Sequence, residues 1–360
     1  MPSSCKRRRL GVLQTPDVNP AVAEYGADAS GLICGFEIGA EGVATEIDSE
    51  HAALWADGRR GDTGRIDESR FVWLHFNLAH TGTVRWLAAH AGLAAEFYET
   101  LGDGLHSTRI EQVEQSLIAI VNDVHFDFAF EPSDISTLWL HVDRRLVVTV
   151  RRQPLRSVDK LRQAVKKAQA LRSTSDLLEH LLRAQADVLV EIVRAVTDRI
   201  DAVEDQLLSK RLDQRRARLG ALRRLLVRLQ RLLAPEPGAL FRLLQNPPRW
   251  MAELDVQGLR QSSEEFSVVL RDMSTLQERI KLLQEEIAAE INEGNNRSLF
   301  VLTFVTVLAL PINLIAGLLG MNVGGIPLNQ NPNGFWIVLA VVLSVTTAAG
   351  WIALRRRRQR

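Results

Sequence analysis

Two cysteines, Cys5 and Cys34, are all that the 360 residues contain, and neither sits in a Cys-x-x-Cys pair. No His-x-x-x-His occurs either, which argues against a disulfide framework and against a structural zinc cage. The basic start, Met1 to Pro16, has no apolar core and no small-residue cleavage pattern, so a secretory signal is not expected. Net charge is also missing: the formal value is +1 with 24% charged residues, and nothing in bulk draws the chain to nucleic acid. There is no P-loop, no dinucleotide-type glycine pattern and no Ser/His/Asp signature, and the eight histidines are scattered. An enzyme is not expected, and no cofactor is implied.

What the chain does have is two long uncharged runs near its C-terminus. Ser298–Gly320 carries no charge over 23 residues, and Phe335–Leu354 none over 20. At 1.5 Å per residue the first covers roughly 30 Å or a little more, enough for a bilayer core. Between them, residues 321–334 are polar and rich in glycine and proline, which reads as a loop. The pair is a transmembrane hairpin. Arg355, Arg356, Arg357, Arg358 and Arg360 follow the second run at once, while the loop holds no Lys or Arg. The positive-inside rule therefore puts the tail 355–360 in the cytoplasm, the loop outside, and residues 1–297 in the cytoplasm too.

The soluble part reads as a mixed α+β domain over residues 1–153. Strand-like runs are Leu32–Ile38, Phe71–Asn77, Ser116–Val124, Thr137–Val142 and Leu146–Arg151, with a helical stretch at Thr83–Ala91. Residues 154–251 are helical. Leu177, Leu181, Ala184, Val188, Ile192, Val196 and Ile200 make one stripe, and an arginine-rich helix follows at Asp213–Leu233. The prolines of Ala234-Pro-Glu-Pro-Gly and Asn246-Pro-Pro read as breaks. From residue 252 a heptad-like seam, Leu259 through Phe266, Leu270 and Ile280 to Ile291, predicts a stalk helix that runs unbroken to residue 320, on the order of 100 Å. Such a seam offers a way to hold copies together.

The candidate site is one face of this helix. On a wheel of about 100° per residue, Glu285, Asn292, Leu299, Thr303, Thr306, Leu310, Asn313 and Gly317 all lie within about 60° of Leu310. Asn295 and Asn296 flank them. Polar residues in a span face a partner helix or a water path, because lipid cannot satisfy them. One hairpin cannot enclose a pore, but several copies around an axis can. Leu299, Leu302 and Leu310 would then form apolar constrictions between rings of threonine and asparagine oxygen.

The first span ends Gly320-Met321-Asn322, followed by Val-Gly-Gly-Ile-Pro. With Pro311 and Gly317 inside the span and a basic tail after the second, this resembles the CorA-type divalent metal ion transporters. What the resemblance implies is a homopentamer with a CorA-like cytoplasmic funnel, sited in the inner membrane, with a pore lined by the first span. A ring of Asn322 at the outer mouth would meet a hydrated cation through side-chain carbonyls, with Gly320 and Met321 shaping the turn. The partners implied are further copies of the chain, the bilayer and hydrated divalent cations. The stretch Val323–Phe335 has no acidic residue, which is similar to the ZntB zinc branch and implies zinc transport, with proton coupling in view. Two alternatives stand: a magnesium or cobalt channel of the same family, and a membrane-anchored cytoplasmic sensor.

Overall fold

The computed structural model describes residues 26–60, 70–102, 107–205, 212–321 and 332–357. They fall into two bodies, one ending at Ile280 and the other made mostly of the residues after it.

The N-terminal body is built on a seven-stranded sheet: β1 (Leu32–Ile38), β2 (Ala44–Ile47), β3 (Phe71–Asn77), β4 (Arg109–Val113), β5 (Ser116–Val124), β6 (Ile135–Val142) and β7 (Leu146–Arg151). Their order is β2-β1-β3-β7-β6-β5-β4. All neighbours are antiparallel except β3 and β7, where Val72 to Asn77 pair in register with Leu146 to Arg151. Both faces are covered. One core holds Leu117, Ala119 and Val121 of β5, and the other holds Ile118 and Ile120 of the same strand. A strand buried on both faces is apolar throughout rather than alternating, which is how β3, β5 and β7 read.

Helices α1 (Ser49–Arg60), α2 (Thr83–Trp86, continued by a wider turn to Ala91) and α3 (Ala95–Gly102) precede β4. After β7 come α4 (Arg156–Lys166), α5 (Thr174–Asp205), α6 (Leu212–Leu233) and α7 (Pro235–Leu243). The proline run after Leu233 is thus a helix start and not a long break, since proline is tolerated in a first helical turn, where its missing N–H has no partner to lose.

A polar node is buried in the sheet. Thr149 Oγ1 accepts from Trp73 Nε1 at 2.9 Å and lies 2.8 Å from His75 Nδ1, while Arg151 Nε donates to His75 Nε2 at 3.1 Å. That places the His75 proton on Nδ1. Burial, then the Arg151 charge, holds the ring neutral with its pKa well below the ordinary histidine value.

The longest element is α8, Glu253–Leu319, 67 residues with Pro311 inside it. Its root is fixed within the N-terminal body. Ser173 Oγ donates to Asp255 Oδ2 at 2.6 Å, and the Glu179 carboxylate of α5 lies over Gly258, where a Cβ would stand 2.0 Å from its Oε2 and force that side chain to move. Arg279 binds Asp201 at 2.7 Å and also Glu204, and Gln230 of α6 donates to Ser274 at 2.6 Å. The seam residues Leu259, Phe266, Met273 and Ile280 are 0–1% exposed in the single chain. The expectation that this seam joins copies is therefore corrected over that length: the same chain already fills it, and a heptad-like stripe looks alike whichever chain it packs on.

Candidate pore lining on the first apolar helix

The second body contains the end of α8 from Lys281 and the whole of α9, Gly334–Arg357. The apolar part of α8 reaches a mean hydropathy of 2.4 over 18 residues, with none of that stretch buried. A shorter apolar helical stretch, Gly334–Ala348, follows.

Each of the two helices carries a partly covered stripe, and they approach at Gly350 and Leu308. On α9 the covered positions are Gly334, Val338, Val342, Thr346 and Gly350, spaced four apart. On α8 they are Phe300, Phe304, Leu308, Pro311 and Ile315, with Ala309 also partly covered but off this line. A Cβ at Gly350 would sit 3.9 Å from Leu308 Cδ2, ordinary van der Waals contact. The centre of the α8 stripe lies about 120° around the helix from Leu310, at about 100° per residue.

The polar stripe faces elsewhere. Glu285, Asn292, Asn295, Asn296, Leu299, Thr303, Thr306, Leu310, Asn313 and Gly317 are all exposed in the single chain, Leu299 at 60% and Leu310 at 67%. These polar residues are therefore not glue between α8 and α9. Thr306 Oγ1 donates to the Leu302 carbonyl at 2.8 Å, which uses its proton and leaves its lone pairs facing outward. The Asn313 amide has no hydrogen-bond partner among the described residues. One further oxygen was not anticipated from sequence. Pro311 lacks an N–H, so the Val307 carbonyl loses its helical donor beside the stripe.

Below the apolar part, Glu285, Glu286, Glu290 and Glu293 stand exposed against only Lys281 and Arg297 over the same stretch. Of these acids only Glu285 shares the stripe. Gly320 and Met321 end the helix region and are exposed, and Asn322 lies outside the described residues. Among the described residues no three His, Cys, Asp or Glu side chains gather into a metal site. Within the apolar part, what the face offers a cation is neutral oxygen; Glu285 lies below it.

The family model for CorA-like Mg2+ transporter protein matches residues 68–357. The chain belongs to the CorA family. Membership sets the class as divalent cation transport, in a family of inner-membrane transporters. Among relatives, the divalent cation transporter CmaX of Pseudomonas aeruginosa is 26% identical over 332 residues, 92% of this chain and 97% of that one. The zinc transport protein ZntB of Klebsiella pneumoniae is 24% identical over 316 residues, 86% and 96% of the two chains. The full-length CmaX structure matches with a TM-score of 0.71 at 26% identity, over 92% of this chain and 99% of that one. The CorA magnesium transporter of Methanocaldococcus jannaschii gives 0.70 at 19% identity over 88% and 96%, which speaks for the fold alone.

Proposed function

We propose that this CorA-family protein is a homopentameric pore for divalent cations, with zinc as its principal cargo and the stripe of α8 as its lining. The observation that carries this is Asn313. Its amide is exposed on the uncharged part of α8, turned away from α9, and without a hydrogen-bond partner among the described residues. In hydrocarbon an amide left unpaired costs roughly 4–8 kcal/mol, so it belongs against water or against another copy. Copies arranged around an axis provide both, with Thr303, Thr306 and Asn313 turned inward and Leu299 and Leu310 as dewetting constrictions.

Five copies, the cytoplasmic position of both termini and the outer ring of Asn322 follow from the family resemblance and from the arginine tail. Zinc is supported by the ZntB relatives and by the loop without carboxylates, while the CmaX relative supports a broader divalent range. Glu285, on the stripe at the cytoplasmic side of the span, concentrates cations at the inner mouth.

The test is uptake into liposomes carrying the purified full-length protein, with zinc, magnesium, cobalt and a pH gradient varied separately. Zinc flux above that of protein-free vesicles is expected. Magnesium or cobalt flux without zinc flux assigns the protein to the other cargo. Absence of flux for every divalent ion, with a native mass of one or two protomers, overturns the pore and favours an anchored sensor.

A further inference from the structure

Glu236, in the first turn of α7, is 1% exposed, and neither carboxyl oxygen has a hydrogen-bond partner among the described residues. An acid in a first helical turn is ordinarily favoured as an anion, yet here no N–H reaches it.

One turn earlier, the Leu232 carbonyl receives Thr108 Oγ1 at 2.9 Å and Asn122 Nδ2 at 3.5 Å. Gln185 Nε2 of α5 donates to the Asn122 carbonyl at 3.2 Å, while Gln185 Oε1, in a side chain 2% exposed, has no donor among the described residues. Asp123, beside Asn122 on β5, is 4% exposed and well supplied. It accepts from Val124 N at 2.8 Å, Ser157 N at 3.1 Å and Ser157 Oγ at 2.6 Å.

Two buried carboxyls within reach of each other's charge do not both ionise without a large penalty. Asp123, with three donors, keeps the charge; Glu236, with none, keeps the proton. Burial outweighs the hydrogen bonds from Ser157 and Val124 and leaves Asp123 raised to about 6. Burial and the Asp123 charge push Glu236 well above the carboxylate range. Other charges near α7 are spoken for or point away. On β4, Arg109 and Glu111 pair with each other at 2.5 Å. On α4, Arg156 pairs with Glu191 of α5 at 3.0 Å, and Arg183 of α5 pairs with Glu179 at 2.7 Å. Arg231 of α6 and Arg242 of α7 are exposed.

A metal ion does not fit, because Asp123's oxygens are already engaged and no third ligand of the His, Cys, Asp or Glu type joins them among the described residues. We propose that Glu236, buried with both carboxyl oxygens unpartnered among the described residues, is a proton-binding site whose proton keeps α7 seated on the sheet. Ionisation strands an unpaired charge at the buried start of α7, whose Leu240 and Leu243 share a core with Leu259 of α8. Cytoplasmic pH then acts on the root of α8. The site does not depend on which ion is transported, and its test needs no transport.

The experiment compares the full-length protein in detergent with Glu236→Gln, a neutral isostere of the protonated acid. The folded group binds a proton that the unfolded chain releases above about 4.3, so its contribution is present at low pH and lost as pH rises toward the folded value. Relative to Glu236→Gln, the folded-to-unfolded ratio of the wild type should fall by up to about tenfold per pH unit over that window. Infrared spectra at pH 7 should show a protonated-carboxyl band that the substitution removes. Identical pH dependence of the two proteins, or no such band at pH 7, overturns the proposal. Should Glu236→Gln not fold, titration of the band in the wild type decides: an acid already ionised at pH 7 refutes it.

Discussion

Cysteine scanning along α8 separates water-facing, α9-facing and lipid-facing positions in one measurement. The chain suits it, since Cys5 and Cys34 are its only cysteines, and burial pushes the Cys34 thiol up to about 12, where it is inert to thiol reagents near neutral pH. In a Cys5→Ser background, three sets are compared: Thr303, Thr306 and Asn313 on the stripe; Phe304 and Leu308 against α9; Val305 and Ile312 on the remaining face. All but Phe304 and Leu308 are exposed in the single chain, so exposure alone does not distinguish stripe from lipid. Charge does. Placing a fixed charge in hydrocarbon at mid-helix costs about 2.5–3.5 kcal/mol, which is a factor of about 70 to 400 in rate for a charged methanethiosulfonate reagent. The stripe should label that much faster than Val305 and Ile312, and saturating zinc should slow it. Rates within a factor of about three across the sets, judged against that expected gap, would refute the assignment of the stripe to water.

Asn322→Ala should reduce metal flux strongly in liposomes while leaving the oligomer and its melting temperature close to wild type; flux by Asn322→Gly near wild type would assign the residue to helix capping instead. Glu285→Gln should slow uptake at low ionic strength and matter less at high salt, and a salt-independent effect contradicts an electrostatic role. Thr149→Val orphans the buried Trp73 and His75 donors and should cost about 2–4 kcal/mol in denaturant unfolding, with Thr149→Ser much milder. Because His75 is held neutral, its share of stability is present above the ordinary value of about 6.5 and lost as pH falls below it, where the unfolded chain takes up a proton. A melting temperature that rises below that pH would refute this account of the node.

The strands that sequence made legible are the ones buried on both faces. β1, β3, β5 and β7 occupy the expected limits, and β6 begins at Ile135 instead of Thr137. The two that escaped, β2 and β4, are the edges of the sheet, and their residues Ala44–Ile47 and Arg109–Val113 are mostly polar and exposed. An edge strand has one neighbour and little to bury, so its composition carries no hydrophobic signal. The α5 stripe from Leu177 to Ile200 was equally legible, and every residue of it is buried. The stalk seam was found but attached to the wrong partner, because periodicity reports that a face is covered and not by whom. The wheel likewise found the polar stripe of α8. It had no means of placing α9, since that depends on approaches such as that of Leu308 to Gly350.

Asn313 offers the sharpest choice between the two environments its stripe could meet. If the stripe faced lipid, Asn313→Leu would relieve an unpaired amide in hydrocarbon, raise the melting temperature and leave flux unchanged. If the stripe lines a water path, the wild-type amide is already hydrated, so the same change gains little stability. It instead adds a fourth apolar ring to those of Leu299, Leu302 and Leu310, lengthening the dry part of the path by about one helical turn, roughly 5 Å. Flux should then fall severely while the melting temperature moves by a degree or two. The chain after His180 contains neither histidine nor cysteine, so no nitrogen or sulfur ligand on the stripe can take over from the lost amide oxygen. A raised melting temperature with undiminished flux in Asn313→Leu would place the stripe in lipid and remove the observation on which the pore rests.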